Sequence, residues 1–286
     1  MNRVPNMIIF KKSEQLTAYL LIAKAQGKQI GFVPTMGALH DGHLSLISQS
    51  KEKTQLTVCS IFVNPTQFTN PEDFKNYPIT IESDIEKLVR AGCDVLFIPT
   101  RSEVYPADHI KRHYELGEIE NLLEGKYRPG HFQGVCEVVE RLLMIVQPDQ
   151  VFLGQKDYQQ CMVLTKLVEL LGLKETVNIQ LVPTMREADG LAMSSRNLRL
   201  NSEQRKKASS IHKCLSYIKE NISKVSPVEL QEQAIIDLTE KGFIVDYVAI
   251  VNAKTLQPLG SMTEPKVALV AASLDSIRLI DNTVLD

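Results

Sequence analysis

No apolar run in this sequence approaches the roughly 20 consecutive apolar residues that a membrane-spanning helix requires. There is no basic surplus either. Thirty-two Lys and Arg stand against 34 Asp and Glu, for a net charge of −2. That balance argues against a nucleic-acid binder, which normally carries a positive excess or a concentrated basic patch. The five cysteines (Cys59, Cys93, Cys136, Cys161, Cys214) are odd in number, scattered and never spaced CxxC. The pattern excludes a disulfide framework and a zinc site, and reads as reduced, mostly buried thiols in a cytoplasmic protein. The amino-terminal stretch MNRVPNMIIFKKSEQ has too brief an apolar core for a signal peptide and lacks a small-residue cleavage site. Two nucleotide-binding signatures are missing as well. Without a GxxxxGK[ST] loop, P-loop hydrolysis of ATP is disfavoured. Without GxGxxG after the first strand, a dinucleotide oxidoreductase is disfavoured too. There is no internal repeat or low-complexity tract.

What is present is the composition of a globular chain: 286 residues, 44% hydrophobic and 23% charged, enough for one large domain or two modest ones. Ser13 to Gln26 has helical apolar spacing and stops before Gly27. Strands are predicted at Gln29–Val33, Leu56–Val63, Val95–Ile98, Val151–Leu153 and Thr176–Val182. Between them, helices are predicted from His43 onward, over Thr80–Ala91, over Cys136–Val146 after the RPGHFQGV loop, and over Tyr158–Leu171. The segment Thr69–Pro78 reads as irregular. The alternation predicts an α/β fold, a Rossmann-like doubly wound parallel sheet whose ligands sit beyond the carboxyl ends of the strands. After Thr184 the character changes. A long helix opening at a capping arrangement, Asn201-Ser202-Glu203-Gln204, runs to about Asn221. A second helix follows from Pro227 to Gly242, then strands at Ile244–Val251, Val267–Ala272 and Arg278–Ile280. The division expected is 1–184 for a Rossmann-like ligand-binding domain and 185–286 for a smaller α+β lid domain.

The chain is organised around GFVPTMGALHDGH, Gly31 to His43. The apolar run Ile30–Val33 is read as stopping at Pro34. Thr35-Met36-Gly37-Ala38 forms a small-residue loop, and His40 and His43 follow with Asp41 and Gly42 between them. A strand that passes through a Gly-containing loop into a helix favours an anion, because the first-turn N–H groups lack intrahelical partners and the dipole is positive there. The two histidines would add side-chain donors. For the loop alone, an ordinary strand–helix turn capped by Asp41 is the stronger reading. Two further segments change the balance. Gly154-Gln155-Lys156-Asp157 turns into another helix, with Asp157 placed to cap it, and the aperiodic stretch Met185–Asn197 carries Ser194-Ser195-Arg196. Neutral donors, an ammonium and a guanidinium together suit a triphosphate attacked at its α-phosphorus, where charge spreads over phosphoryl oxygens.

HDGH after the first strand and MSSRN far downstream resemble the HIGH and KMSKS signatures of class I adenylating and nucleotidyl-transferring enzymes. A closer resemblance covers nearly the whole chain. PTMGALHDGH, SIFVNPTQF, Tyr77-Pro78, RPGHFQGV, GQKDYQQ, READGLAMSSRN and RLIDN, in order from about Gly31 to Asn282, resemble the pantothenate synthetase (pantoate–β-alanine ligase) family. The resemblance implies ATP-dependent condensation of pantoate with β-alanine through a pantoyl-adenylate, releasing pyrophosphate and AMP. It implies that Met36, Gly37, Ala38, Leu39, His40, Asp41, Gly42 and His43 border ATP, with His43 as proton donor and His40 as phosphate partner. Gln67 would hold pantoate near β-alanine, assisted by Asn64. Gly154, Gln155, Lys156 and Asp157 would contact ATP, Lys156 on its phosphates and Asp157 on the ribose. Gln160 would face pantoate, Met185 the adenine, and Met193, Ser194, Ser195 and Arg196 would close over the phosphates. Gln155 stands where many members have glutamate and Gln133 where arginine or aspartate is common; neither removes a group the mechanism needs. Magnesium is expected with the nucleotide phosphates, and a homodimer is implied. Asp84 is a candidate helper for the ion, but a solvated helical carboxylate is the stronger reading, and no protein ligand is assigned to the metal.

The chemistry fits such a substrate. Pantoate's carboxylate is ionised near neutral pH, so the first step needs charge neutralisation and in-line positioning rather than a strong base. Gln67 and Gln160 suit a hydroxyl-rich acid because an amide both donates and accepts. A nucleotidyltransferase using the same signatures would not need the NPTQF and KDYQQ amides. A tRNA-charging enzyme is disfavoured by the acidic balance and the lack of an anticodon-binding region. A non-catalytic relative is disfavoured by the retained histidines and Ser-Ser-Arg loop.

Overall fold

The computed structural model describes residues 7–285. Part of the reading of the amino-terminal stretch rests on residues 1–6 and lies outside the described residues. In chain order the strands and helices are β1 (Ile8–Phe10), α1 (Ser13–Ala25), β2 (Ile30–Thr35), α2 (Asp41–Lys53), β3 (Leu56–Ile61), α3 (Pro71–Lys75), α4 (Ile81–Arg90), β4 (Val95–Phe97), α5 (Arg101–Val104) and α6 (Glu124–Tyr127). They continue as α7 (His131–Val146), β5 (Gln150–Gly154), α8 (Tyr158–Leu170), β6 (Asn178–Val182), α9 (Ser202–Ala208), α10 (Ser210–Asn221) and α11 (Pro227–Glu240). The last three are β7 (Ile244–Asn252), β8 (Lys266–Leu274) and β9 (Ile277–Leu285). They fall into two compact units. One holds the chain up to Gly117 with Arg128–Gln155 and Gln159–Pro183; the other holds Glu118–Tyr127, Lys156–Tyr158 and the chain from Thr184 onward. Among the described residues, no helix is long and apolar enough to cross a membrane.

The first unit is built on six parallel strands in the order β1-β4-β3-β2-β5-β6. The chain leaves β2 on one side toward β3 and later returns on the other side as β5. The β2/β5 junction is therefore the point where strand order reverses, the place where ligands bind in doubly wound sheets. Burial is continuous along β3 and β4, as expected of strands covered on both faces. Val33, Cys59, Leu96 and Phe152 pack with Ile47 of α2 and Leu88 of α4 into one core. The edge strand β1, paired through Ile8–Val95 and Phe10–Phe97, has too few residues to show a period and is not anticipated from the sequence.

Three local differences from the sequence expectation have physical causes. The strand does not stop at Pro34 but continues to Thr35, in register with Ile61 of β3. The Thr35 carbonyl accepts from Phe62 N on the β3 side, so by strand alternation Pro34 faces β5, and β5 pairs only as far as Phe32. The N–H that proline lacks is thus not needed. Second, the supposedly irregular Thr69–Pro78 contains α3, started by Asn70 Oδ1 accepting from Glu72 N at 2.9 Å, with Pro71 in the first turn. Third, α7 begins at His131 rather than Cys136, so Gly134 lies inside a helix. A Cβ there would come within 2.3 Å of the Thr66 carbonyl oxygen and 2.8 Å of Gln67 Cα, and only glycine permits that approach. Gly134→Ala is therefore expected to cost about 1–3 kcal/mol through overpacking against backbone. Urea unfolding reads this, and an unchanged midpoint would show that α7 can shift freely.

In the second unit β7, β8 and β9 form an antiparallel sheet covered by α10 and α11, with Ile211, Leu215, Leu230, Leu238, Ile250 and Val270 in its core. The capping arrangement at Asn201 is present: its Oδ1 accepts from Glu203 N and Gln204 N, and Gln204 Oε1 accepts from Asn201 N. The long helix expected to Asn221 is interrupted at Ser209, giving α9 and α10; its hydroxyl donates back to the Lys206 carbonyl, a bond that competes with the helical ladder. Glu124 of α6 joins this unit through Arg278, whose guanidinium donates to both Glu124 oxygens at 2.7 Å and to Asp246 at 2.7 Å.

Candidate active site

At the end of β2 the chain runs through Met36, Gly37, Ala38 and Leu39 into α2. Ala38 has a φ of 49°, an uncommon conformation for a residue with a side chain, and what holds it is Asp84. That side chain is 0% exposed. Its two oxygens accept from Ala38 N at 2.9 Å, Leu39 N at 2.8 Å and the Thr80 hydroxyl at 3.1 Å. Lys87, one turn further along α4, donates to the Leu39 carbonyl at 2.7 Å. Asp84 is thus not a solvated carboxylate. It is the buried anchor of the loop.

The residue that starts α2 is His40, with Asp41 exposed in the first turn. The backbone N–H of His40 donates to His43 Nδ1 at 3.3 Å, which leaves the ring proton of a neutral His43 on Nε2. The two imidazoles stand 4.1 Å apart, centroid to centroid. A helix start, where the first N–H groups lack the partners of a full helical ladder, together with an imidazole Nε2–H, is a set of neutral donors suited to phosphoryl oxygens.

Beyond β3, Asn64 and Gln67 are 1% and 9% exposed. Asn64 Nδ2 donates to Gln67 Oε1 and to the Gly134 carbonyl, each at 3.2 Å. Gln67 Nε2 donates in turn to Met36 Sδ at 3.2 Å. His131 Nδ1 donates to the Gln67 carbonyl at 2.8 Å while Arg128 Nη1 donates to its Nε2 at 3.0 Å, an assignment that leaves His131 neutral. Gly154 ends β5 across the switch point, and Gln155 opens the short turn that follows it. Gln160, half-buried in the first turns of α8, has a carboxamide that no other described residue engages. Gln133 pairs with both the N–H and carbonyl of Tyr114, which accounts for an amide at that position.

The second unit carries the remaining residues. Lys156 Nζ lies 3.5 Å from Asp157 Oδ1, and its backbone carbonyl accepts from Asn282 Nδ2 at 2.8 Å. The neighbouring Asp281, 4% exposed, takes both Nη groups of Arg186, at 2.6 and 3.0 Å. RLIDN at the carboxyl end therefore fixes two other motifs, GQKD and READG. The stretch Met185–Met193 is not aperiodic in space: Met193 N donates to the Met185 carbonyl, and Glu187 and Leu191 pair as well, making a small hairpin. Gly190 turns it at φ 88°, and a Cβ there would strike the His212 ring at 2.0 Å. Met185 is exposed, Met193 half-buried, and Ser195 buried. The Ser194 hydroxyl accepts from Arg196 N at 3.3 Å, capping the short turn Ser195–Arg199.

A family profile described as pantoate-beta-alanine ligase matches residues 8–284. The chain belongs to the pantoate–β-alanine ligase family. It is 43% identical over 284 residues to the pantothenate synthetase of Cytophaga hutchinsonii, covering 98% of this chain and 99% of that protein. It is 42% identical over 283 residues to that of Acetivibrio thermocellus, covering 98% and 100%. The crystal structure of pantothenate synthetase from Thermus thermophilus superposes with a TM-score of 0.89 at 41% identity, covering 97% of this chain and 99% of that one. A Francisella tularensis pantoate-beta-alanine ligase, complexed with beta-gamma ATP and beta-alanine, superposes at 0.82 with 36% identity, covering 98% of each chain. As a member of this ligase family, the chain joins pantoate to β-alanine with ATP as co-substrate.

The motifs assign no role to two buried carboxylates of this pantoate–β-alanine ligase. Asp84 lies 46 positions from Ala38, and Asp281 lies 95 from Arg186. Only the polarity of RLIDN, in an otherwise apolar strand, signals that its carboxylate has a partner.

Proposed function

We propose that the condensation proceeds through a pantoyl-adenylate, with the nucleotide bordered by Met36–His43, Gly154–Asp157, Met185 and Met193–Arg196, and pantoate held by Gln67, Gln160 and Asn64. One observation carries this reading: Gln67 Nε2 lies 3.2 Å from Met36 Sδ. It sets an amide suited to a hydroxy acid directly against the loop that leads into the anion-binding start of α2. Residues 1–184 take the binding of ATP and pantoate in this proposal, and 185–286 the part of a lid.

In the first step a carboxylate oxygen of pantoate forms a bond to the α-phosphorus of ATP, and the bond from that phosphorus to the bridging oxygen breaks, so the electron pair leaves with pyrophosphate. His43 Nε2–H, His40 and the first-turn N–H groups of α2 stabilise the phosphoryl charge, joined by Lys156, Arg196 and the hydroxyls of Ser194 and Ser195. In the second step the β-alanine amine, once it has lost a proton, attacks the acyl carbon, and AMP leaves with the anhydride oxygen. Among the described residues, no three His, Cys, Asp or Glu side chains are grouped to hold a metal, and Asp84 has its oxygens committed to the loop. That donor set fits magnesium carried by nucleotide phosphates, where the ion would neutralise charge with few protein ligands. Five free, buried cysteines support a reducing, cytoplasmic setting, and a homodimer is proposed on the family likeness alone.

Pyrophosphate–ATP isotope exchange tests the reading. Exchange that depends on pantoate and proceeds without β-alanine is expected. Its absence at saturating ATP and magnesium would remove the acyl-adenylate.

A further inference from the structure

The Asn64–Gln67 pair has a defined direction. The Gly134 carbonyl can only accept and Thr66 N can only donate, so Asn64 Nδ2 faces the first at 3.2 Å and Oδ1 the second at 3.4 Å. Nδ2 then reaches Gln67 Oε1, which leaves Gln67 Nε2 as the donor turned toward Met36 Sδ. A thioether is a weak acceptor, so a carboxylate or hydroxyl oxygen of a substrate would replace it with gain. The origin of this chain is outside the motifs. Tyr105, at the end of α5, donates its hydroxyl to Asn64 Oδ1 at 3.0 Å, the shortest hydrogen bond that oxygen receives. Its ring lies 6.3 Å from Phe62 and 5.1 Å from His109, centroid to centroid. His109 is held through Nε2 on the buried Glu137 at 3.0 Å. Burial pushes the Tyr105 phenol up to about 12, so it stays a donor throughout the working pH range.

We propose that Tyr105 is a positioning residue for pantoate. Its bond to Asn64 Oδ1 orders the Asn64–Gln67 pair so that Gln67 meets an oxygen of the acid as a hydrogen-bond donor. The three groups polarise one another in a single direction, Tyr105 to Asn64 to Gln67. Without the phenol, Asn64 Oδ1 keeps only its contacts with Thr66, at 3.2 and 3.4 Å, so the amide keeps its sense but loses the shortest bond that holds the pair in place. The inference rests on the assignment of pantoate to Gln67 and Asn64.

Steady-state kinetics of the full chain with Tyr105→Phe tests it, since the ring packing is kept and only the hydroxyl is removed. KM for pantoate is expected to rise about fivefold to tenfold, the size of one neutral hydrogen bond. KM for ATP should stay within about twofold, because a loss confined to ground-state binding of one substrate appears in that KM alone. A second comparison places Tyr105→Phe in an Asn64→Ala background, where it should change nothing further, as residues acting through one contact are not additive. An unaltered pantoate KM, a parallel rise in ATP KM, or additive effects in the double variant would each overturn the role of Tyr105. Pantoate-dependent exchange by the parent enzyme is measured first. Its absence refutes the reaction assignment, whereas its presence beside a silent Tyr105→Phe refutes this inference only.

Discussion

His43→Ala is expected to slow formation of the pantoyl-adenylate by about 10²–10³-fold, the usual cost of deleting one preorganised donor from a phosphoryl or oxyanion site. The effect on stability should be small. His43 is half-buried, and the bond its Nδ1 accepts from His40 N is long, at 3.3 Å, worth about 0.5–1.5 kcal/mol and replaceable by water at a helix start. The same bond defines the chemistry, because an accepting Nδ1 leaves the only ring proton on Nε2, where a phosphoryl oxygen can use it. His43→Gln, with an amide N–H in nearly the place of Nε2, should recover part of the rate, whereas His43→Asn should not. Single-turnover measurement of adenylate formation separates these cases. A rate for the alanine variant close to that of the parent would remove His43 from the chemistry.

Local chemistry made much of this legible in the sequence. A β-branched run followed by Gly, Pro and polar residues marks the end of a buried strand, so β2, β3 and β5 and their loops could be placed, along with His40 and His43 at the start of α2. Motif order supplied the rest of the candidate residues. What stayed hidden depends on distance along the chain. Nothing near Asp84 shows that its helix packs over the loop 46 residues earlier, so an acidic residue on a helix was read as solvated. Gly134 looked like part of a loop because glycine usually breaks helices, whereas here it admits the Thr66 carbonyl. Pro34 looked like a strand end because proline removes a donor, and the missing donor proved to fall where β5 has already diverged. The hairpin from Met185 to Met193 looked aperiodic because it is closed by Asp281 and Asn197, at 2.6 and 3.1 Å, rather than by a pattern of its own. In each case the local signal was sound and a tertiary partner decided its meaning.

Asp84 carries the second large prediction. Asp84→Ala leaves Ala38 N and Leu39 N without acceptors in a site that is 0% exposed. Each unsatisfied buried donor costs about 1–3 kcal/mol, so a loss of roughly 3–5 kcal/mol is expected, in the range for breaking a buried polar network. The loop should also relax from the left-handed Ala38 conformation, raising KM for ATP. Asp84→Asn sharpens the test because it keeps the shape and changes only the pairing. One of its two ends becomes an NH2 group facing a backbone N–H, so it should lose nearly as much stability as the alanine variant despite filling the same space. A urea midpoint for Asp84→Asn equal to that of the parent would show that packing, and not the two accepted hydrogen bonds, holds the loop. A magnesium titration at saturating ATP separates this anchoring role from metal binding: a positioning carboxylate leaves the half-saturating magnesium concentration unchanged in Asp84→Asn, while a ligand would raise it. Such a rise would place Asp84 on the metal and overturn its role as the anchor of the loop between β2 and α2.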